Sequence, residues 1–196
     1  EEFQIPDYLL LYLPFLYNII TPEAISQLPD YHEREHFIYI GNFKHAPNVD
    51  AVLFLNDKIW PLINRELPDA KLLIYGAYPS AKIEQLDDPK MNFYIKGRVT
   101  DAGVVVSKAK VSLAPLRFGA GLKGKLTEAM ICGTPTVTTK VGAEGINGNL
   151  EWCGKISNDP EEFAQAAIDL YTNNKIWNEA RNNGFEIINN RFAKDN

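Results

Sequence analysis

Between Pro115 and Glu128 the chain reads Pro-Leu-Arg-Phe-Gly-Ala-Gly-Leu-Lys-Gly-Lys-Leu-Thr-Glu, which interleaves two kinds of residue suited to holding an anion. Gly119 and Gly121 let a backbone turn tightly and approach a ligand with no Cβ in the way. Arg117, Lys123 and Lys125 bring positive charge to a chain whose net charge is -5. Leu122, Leu126, Ala129 and Met130 recur at helical spacing, so the loop feeds a helix whose first N–H groups lack partners. Such a helix start carries partial positive charge and attracts phosphate. Gly121, Lys125 and Glu128 share one helical face by spacing. A carboxylate one turn from a phosphate position is well placed to accept hydrogen bonds from a ribose diol. The segment reads as a cradle for a phosphate joined to a sugar.

Other patterns claim the same letters. Gly119-Ala-Gly-Leu-Lys-Gly124 matches G-x-G-x-x-G, but that dinucleotide fingerprint belongs to the first strand–helix turn of its domain. Here it follows the fourth strand, and Thr138 and Thr139 stand where an acid should close the next one. Gly119 to Lys125 also fits the G-x-x-x-x-G-K core of a P-loop, yet Leu126 replaces the hydroxyl residue that would hold Mg²⁺. A glycine-rich turn with a solvated lysine face is the remaining reading. It leaves unexplained two glycines, Gly121 and Gly124, at a helix start, where each costs about 1 kcal/mol relative to alanine.

The elements that must position this loop follow one grammar: short apolar run, polar turn, helical pattern. Phe37–Ile40, Lys71–Tyr75, Asn92–Ile95, Val111–Ala114 and Thr136–Thr138 read as strands, the first three closed by Gly41, Gly76 and Gly97. A helix is expected after Pro47, with Val49, Val52, Leu53, Trp60 and Ile63 on one face and a kink or loosened final turns at Pro61. Another spans about residues 100–109. The loop's own helix should stop at Gly133, a natural C′ residue, with Pro135 behind it. Asp159, Pro160 and Glu162 supply an N-cap, an N1 proline and a capping-box acid for a helix burying Phe163, Ala166, Ala167, Leu170 and Tyr171. A last helix covers about 175–190.

Alternating strands and helices, with strands apolar throughout, predict an α/β fold: a Rossmann-like parallel sheet with helices on both faces. Such sheets bind ligands at the carboxyl ends of their strands. The loops of interest therefore follow Ile40, Tyr75, Ile95, Ala114 and Thr138. Residues 1–36 break the grammar and read as a connector or the remnant of an N-terminal domain, leaving 37–196 as the binding domain.

Composition narrows the alternatives. Hydrophobic residues make up 45% and charged residues 23%, which excludes disordered and collagenous chains. The acidic balance argues against a nucleic-acid surface, which needs a basic patch. Two cysteines, Cys132 and Cys153, are too few for a disulfide framework and suit a reducing, cytoplasmic compartment. Glu1 and Glu2 stand where a signal peptide would be basic. The apolar stretch Tyr8–Ile20, interrupted by Pro14 and Asn18, is too short to span a bilayer. It is expected to pack against protein, the other reading being peripheral contact with a partner or the inner face of a membrane. His32 and His36 have no metal-ligand spacing, the lone His45, beside the loop after Ile40, reads as structural or solvated rather than catalytic, and no Asp-x-Asp pair occurs. Trp60, Trp152 and Trp177 read as core or interface residues.

The run Ala114-Pro-Leu-Arg-Phe-Gly-Ala-Gly-Leu-Lys-Gly-Lys-Leu-Thr-Glu-Ala-Met, then Cys132-Gly-Thr-Pro-Thr-Val-Thr-Thr and Gly142-Ala-Glu-Gly145, resembles the C-terminal, donor-binding domain of group 1 (family 4-like) glycosyltransferases of the GT-B superfamily. Gly41-Asn-Phe-Lys-His-Ala-Pro-Asn-Val-Asp50 and Asn92-Phe-Tyr-Ile-Lys-Gly-Arg98 extend the likeness, which covers about 37–192. The resemblance implies sugar transfer from a nucleoside diphosphate sugar, a substrate rather than a resident cofactor, of the kind used in polysaccharide biosynthesis. It implies that Glu128 holds the donor ribose and that Lys125 and the amides of Gly119, Ala120 and Gly121 contact the pyrophosphate. Gly97 and Arg98 would frame the nucleobase, and Gly41, Asn42 and Lys44 would face the sugar and phosphates. Glu144 would face the sugar or cap its own turn.

The chain departs from the family's pattern in three ways. Many members carry a second glutamate that reaches the donor sugar, and the matching position here is Ala120. Asn42 and Phe43 occupy the region of a usual arginine, with Lys44 only nearby, and Lys123 is a candidate to replace the lost charge. A complete enzyme also needs an acceptor-binding domain, which residues 1–36 cannot supply, so the chain is expected to be inactive alone. The competing reading, supported by Ala120, is a non-catalytic nucleotide-binding or interaction domain.

Overall fold

The computed structural model describes residues 15–194 together with Pro6 and Leu9. Of the apolar stretch Tyr8–Ile20, Tyr8 and residues 10–14 lie outside the described residues. Among the described residues six strands form one sheet: β1 (Glu35–Ile40), β2 (Leu72–Tyr75), β3 (Phe93–Gly97), β4 (Ala109–Ala114), β5 (Thr136–Thr138) and β6 (Gly154–Ile156). They lie in the order β3-β2-β1-β4-β5-β6, and every neighbouring pair is parallel. The order reverses between β1 and β4, so a crevice opens outside their carboxyl ends.

The central strands β1, β4 and β5 are buried on both faces. Phe37, Tyr39, Leu72, Ile74, Val111, Leu113 and Val137 join one core, while Ile38 packs into a separate cluster with Val106 and Ala129. The first core is covered by α2 (Ala46–Phe54), α3 (Trp60–Glu66) and α8 (Pro160–Thr172); the opposite face carries α5 (Ala102–Lys108), α6 (Gly124–Ile131) and α9 (Asn174–Arg191). All three indoles are buried, and their N–H groups donate to the backbone carbonyls of Met91, Thr136 and Lys110.

Two helix expectations are sharpened. The helix after Pro47 loosens just ahead of Pro61, through a π turn at Leu55–Ile59 in which the Trp60 N–H reaches the Leu55 carbonyl. Pro61 has no N–H and its ring crowds the turn behind it, and a wider turn accommodates both. The change of phase buries Ala51, Val52, Leu55, Ile59, Trp60 and Ile63, leaving Val49 and Leu53 at the margin. At Asp159 the cap forms, with its side chain accepting from the Glu161 and Glu162 N–H groups. Glu162 does not reach back to Asp159; it accepts from the Ser157 hydroxyl, which in turn accepts the Asp159 N–H.

Between Tyr17 and Arg34 the chain makes contacts with the domain. A short α1 (Pro22–Ser26) follows a contact in which Asn189 accepts the Ile20 N–H and donates to the Ile20 carbonyl, and Tyr17 bridges to Ala193. Arg34 is wholly buried over the Trp177 ring, its guanidinium donating to the Pro29 and Cys132 carbonyls and to the Thr134 hydroxyl. Cys132 and Cys153 are free and buried, and burial pushes their thiols up to about 11 and about 12. No helix among the described residues is long and apolar enough to cross a membrane.

Candidate functional site

Two clefts meet over the carboxyl ends of β1 and β4. The first, about 330 Å³, lies between the loops after β1, β2 and β3, with Gly41, Asn42, Arg98 and Glu128 on its walls. The second, about 510 Å³, lies between the start of α2 and the glycine loop, with His45, Phe118, Gly119, Ala120 and Lys123 on its walls. Asn48 and Lys125 line both. A ligand crossing from one to the other must pass them.

Lys125 reaches this junction because α6 begins at Gly124 and helical side chains lean back toward the N-terminus. Its Nζ donates to Asn48 Oδ1 at 2.5 Å and to the Tyr39 hydroxyl at 3.0 Å. Asn48 is fixed from the other side, its Nδ2 donating to the Asn42 carbonyl, and Tyr39 donates to Asn48 Oδ1 at 3.1 Å. Gly41 makes the close approach possible, since a Cβ there would lie 2.9 Å from both Lys125 Nζ and Asn48 Cγ. Both partners of the amine are neutral, and among the described residues no carboxylate forms an ion pair with it. Burial lowers the Lys125 amine to about 7. A cation held this way, beside the open N–H groups of α6, is short of one thing, an anion.

Glu128 follows one turn later on the same helix, half-buried and lining the first cleft, its carboxylate without a hydrogen bond among the described residues. Burial raises its carboxyl above the usual range, and nearby Asp101 adds to the rise. Arg98, exposed after β3, lies on the same cleft. The structure thus brings Gly41, Asn42, Arg98, Lys125 and Glu128 to one cleft, and Gly119, Ala120, Lys123 and Lys125 to the other.

Several expected residues are placed differently. The helix starts three residues later than Gly121, because Gly121 takes φ +75° and Lys123, the N-cap, is extended. Gly121 and Leu122 therefore belong to the loop, and only Lys125 and Glu128 share the helical face. Arg117 does not line either cleft; it is clamped by Asp50 through Nε at 2.8 Å and Nη2 at 2.5 Å, over the Phe54 ring. Lys44 sits with its amine 3.9 Å from the centre of the Tyr78 ring, outside both linings. Gly97, at φ +69°, shapes the end of β3, and its carbonyl accepts the Gly76 N–H. Glu144 lies over Lys123, with 3.8 Å between Oε2 and Nζ. The sequence reading did not select Asn48 and Tyr39. Their faint signals were an asparagine in the first turn of an apolar helix and a hydroxyl inside the run Phe37–Ile40.

Among the described residues no cluster of three or more histidine, cysteine or acidic side chains is grouped to hold a metal. The fold recurs in solved structures. S. aureus TarM in complex with UDP aligns at a TM-score of 0.69 with 18% identity, over 83% of this chain and 34% of that one. WaaG, described as a glycosyltransferase involved in lipopolysaccharide biosynthesis, aligns at 0.64 with 18% identity, over 90% of this chain and 51% of that one. At this identity the likeness establishes the fold. An uncharacterized 44.6 kDa protein in the cps region of Klebsiella pneumoniae is 25% identical over 162 residues, which are 79% of this chain and 42% of that protein. The chain thus spans less than half the length of that curated relative. The family model described as "Glycosyl transferases group 1" matches residues 34–173, from the buried Arg34 through both clefts to the end of α8. With most of its length accounted for in that way, the chain belongs to the group 1 glycosyl transferases.

Proposed function

We propose that the two clefts bind a nucleoside diphosphate sugar and that the protein of which they are part transfers the sugar to an acceptor hydroxyl. The observation that carries this reading is the Lys125 amine, buried at the junction of the clefts with no carboxylate partner among the described residues. The nucleoside occupies the first cleft, with Glu128 accepting hydrogen bonds from the ribose diol and Arg98 beside the base. The diphosphate crosses the junction against Lys125 and the first N–H groups of α6. The sugar enters the second cleft, near the amides of Gly119 and Ala120. S. aureus TarM, which shares the fold, is a structure with UDP, and this agrees with a nucleoside diphosphate in such a domain.

In the transfer the bond between the anomeric carbon and the diphosphate oxygen breaks, its electron pair leaving with the diphosphate. The acceptor oxygen bonds to that carbon and gives up its proton. Lys125 and the helix N-terminus stabilise the charge growing on the leaving diphosphate, the type of interaction that lowers such barriers most. The acceptor is proposed to bind a domain corresponding to the remaining length of the relatives, leaving this unit to hold the donor without turnover.

Glu128→Gln tests the ribose contact. It is expected to weaken a ribonucleoside diphosphate by about tenfold, the worth of charge-assisted hydrogen bonds, as read by calorimetry. The 2′-deoxy diphosphate should lose much less. Equal losses for both sugars would remove Glu128 from the ribose.

A further inference from the structure

The second cleft holds more positive charge than a diphosphate at the junction uses. Its lining includes Lys123 and Lys125 and, among the described residues, no carboxylate, in a chain of net charge -5. Lys125 stands at the junction and meets the diphosphate. Lys123 lines only the second cleft, on the side where the sugar enters. Its side chain is 8% exposed, and its Nζ is buried with no hydrogen bond among the described residues. The nearest opposite charge is Glu144, 3.8 Å away and 71% exposed, which is too long for a hydrogen bond and largely in water. A buried ammonium with three unused donors is a costly arrangement without a ligand to complete it.

A neutral hexose would offer that ammonium only hydroxyl oxygens. A carboxylate on the sugar would offer a full counter-charge and roughly twice the hydrogen-bond strength. Phe118, 47% exposed on the cleft wall, gives the apolar face of a sugar ring a surface to lie on, and Ala120 adds no acid that would repel a charged one. Glu144 competes for Lys123 from the solvent side, so an entering carboxylate exchanges a long, exposed ion pair for a short, enclosed one. We propose that this cleft selects a donor whose sugar carries a carboxylate, a nucleoside diphosphate uronic acid, with Lys123 as the residue that recognises it. The inference rests on the donor-site reading above.

The test is a calorimetric comparison on the full chain of UDP, UDP-glucose and UDP-glucuronic acid, with GDP, GDP-mannose and GDP-mannuronic acid as the guanosine counterparts. In the series whose base is accepted, the uronate should bind at least about tenfold tighter than the hexose. Lys123→Met should bring that ratio close to one and leave the affinity of the bare diphosphate within about twofold. Glu144→Gln, a change on an exposed side chain, should strengthen the uronate alone, which keeps the idea testable if Lys123→Met does not fold. Equal binding of hexose and uronate by the wild type overturns the proposal. So does a Lys123→Met protein that loses the bare diphosphate as strongly as the uronate, because Lys123 would then be a phosphate ligand. Failure of every diphosphate to bind overturns the donor site itself, and the proposal with it.

Discussion

Lys125→Met is expected to weaken nucleoside diphosphate binding by about 10- to 100-fold, the worth of a buried charged hydrogen bond, while making the unliganded protein more stable. The two effects have one cause. The amine is buried against the Tyr39 hydroxyl and Asn48 Oδ1, and burial lowers it from 10.5 to about 7. In the unfolded chain the same amine titrates near its ordinary value. Folding at or below pH 7 therefore carries the cost of burying a charge, and that cost is relieved as pH rises from about 7 toward 10.5. Methionine keeps the apolar stem and removes the charge. It orphans nothing, because Tyr39 already donates to Asn48 Oδ1. Urea titrations should show the variant gaining roughly 2–4 kcal/mol below pH 7, with the gain shrinking as pH rises above about 7 and nearly gone by pH 10.5. A variant that loses both affinity and stability would mean that Lys125 holds the fold together and is not kept for a ligand.

Arg34→Met should have the opposite consequence, a loss of roughly 2–4 kcal/mol with diphosphate affinity little changed in the protein that remains folded. Arg34 is also a buried cation without a carboxylate ion pair among the described residues, and burial lowers it to about 10. The difference lies in what its donors do. Nε satisfies the Pro29 carbonyl at 2.9 Å, Nη2 the Cys132 carbonyl at 2.8 Å, and Nη1 the Thr134 hydroxyl at 2.7 Å. These groups belong to the segment ahead of β1 and to the end of α6, where helix carbonyls otherwise lack partners. Removing the guanidinium leaves buried acceptors unpaired, at about 1–3 kcal/mol each, partly offset by the charge no longer buried. Arg34→Lys should not restore the loss, since one ammonium cannot serve three divergent acceptors. A urea midpoint unmoved by Arg34→Met would contradict this account.

The sequence disclosed the parts of the fold that are written locally. Phe37–Tyr39 and Val111–Ala114 are buried on both faces, and Leu72–Tyr75 is buried on one and half-buried on the other, so they appear as unbroken apolar runs, and the parallel sheet follows from them. Gly133 closes α6 as expected, in a left-handed conformation with its N–H on the Met130 carbonyl and that of Thr134 on Ala129. β6 escaped notice because Gly154-Lys-Ile156 is three residues long, lies at the sheet edge and exposes Lys155. In the site, Lys125, Glu128 and Gly41 were legible because they sit in contiguous motifs. Asn48 and Tyr39 were not, because their role depends on contact with a lysine 77 and 86 residues away. Arg117 shows the converse. A sequence counts its charge but does not show Asp50, 67 residues earlier, taking both of its donors.

The most direct measurement is a calorimetric titration of the full chain with UDP, GDP, ADP and NAD at pH 8, in two buffers of different ionisation enthalpy. Lys125 is mostly neutral there in the free protein and must be charged against a diphosphate. One nucleoside diphosphate should bind, drawing most of a proton from the buffer, and both the affinity and the proton uptake should fall in Lys125→Met. Preference for NAD, or a diphosphate that binds wild type and Lys125→Met alike, would contradict the assignment of these clefts to a nucleoside diphosphate sugar.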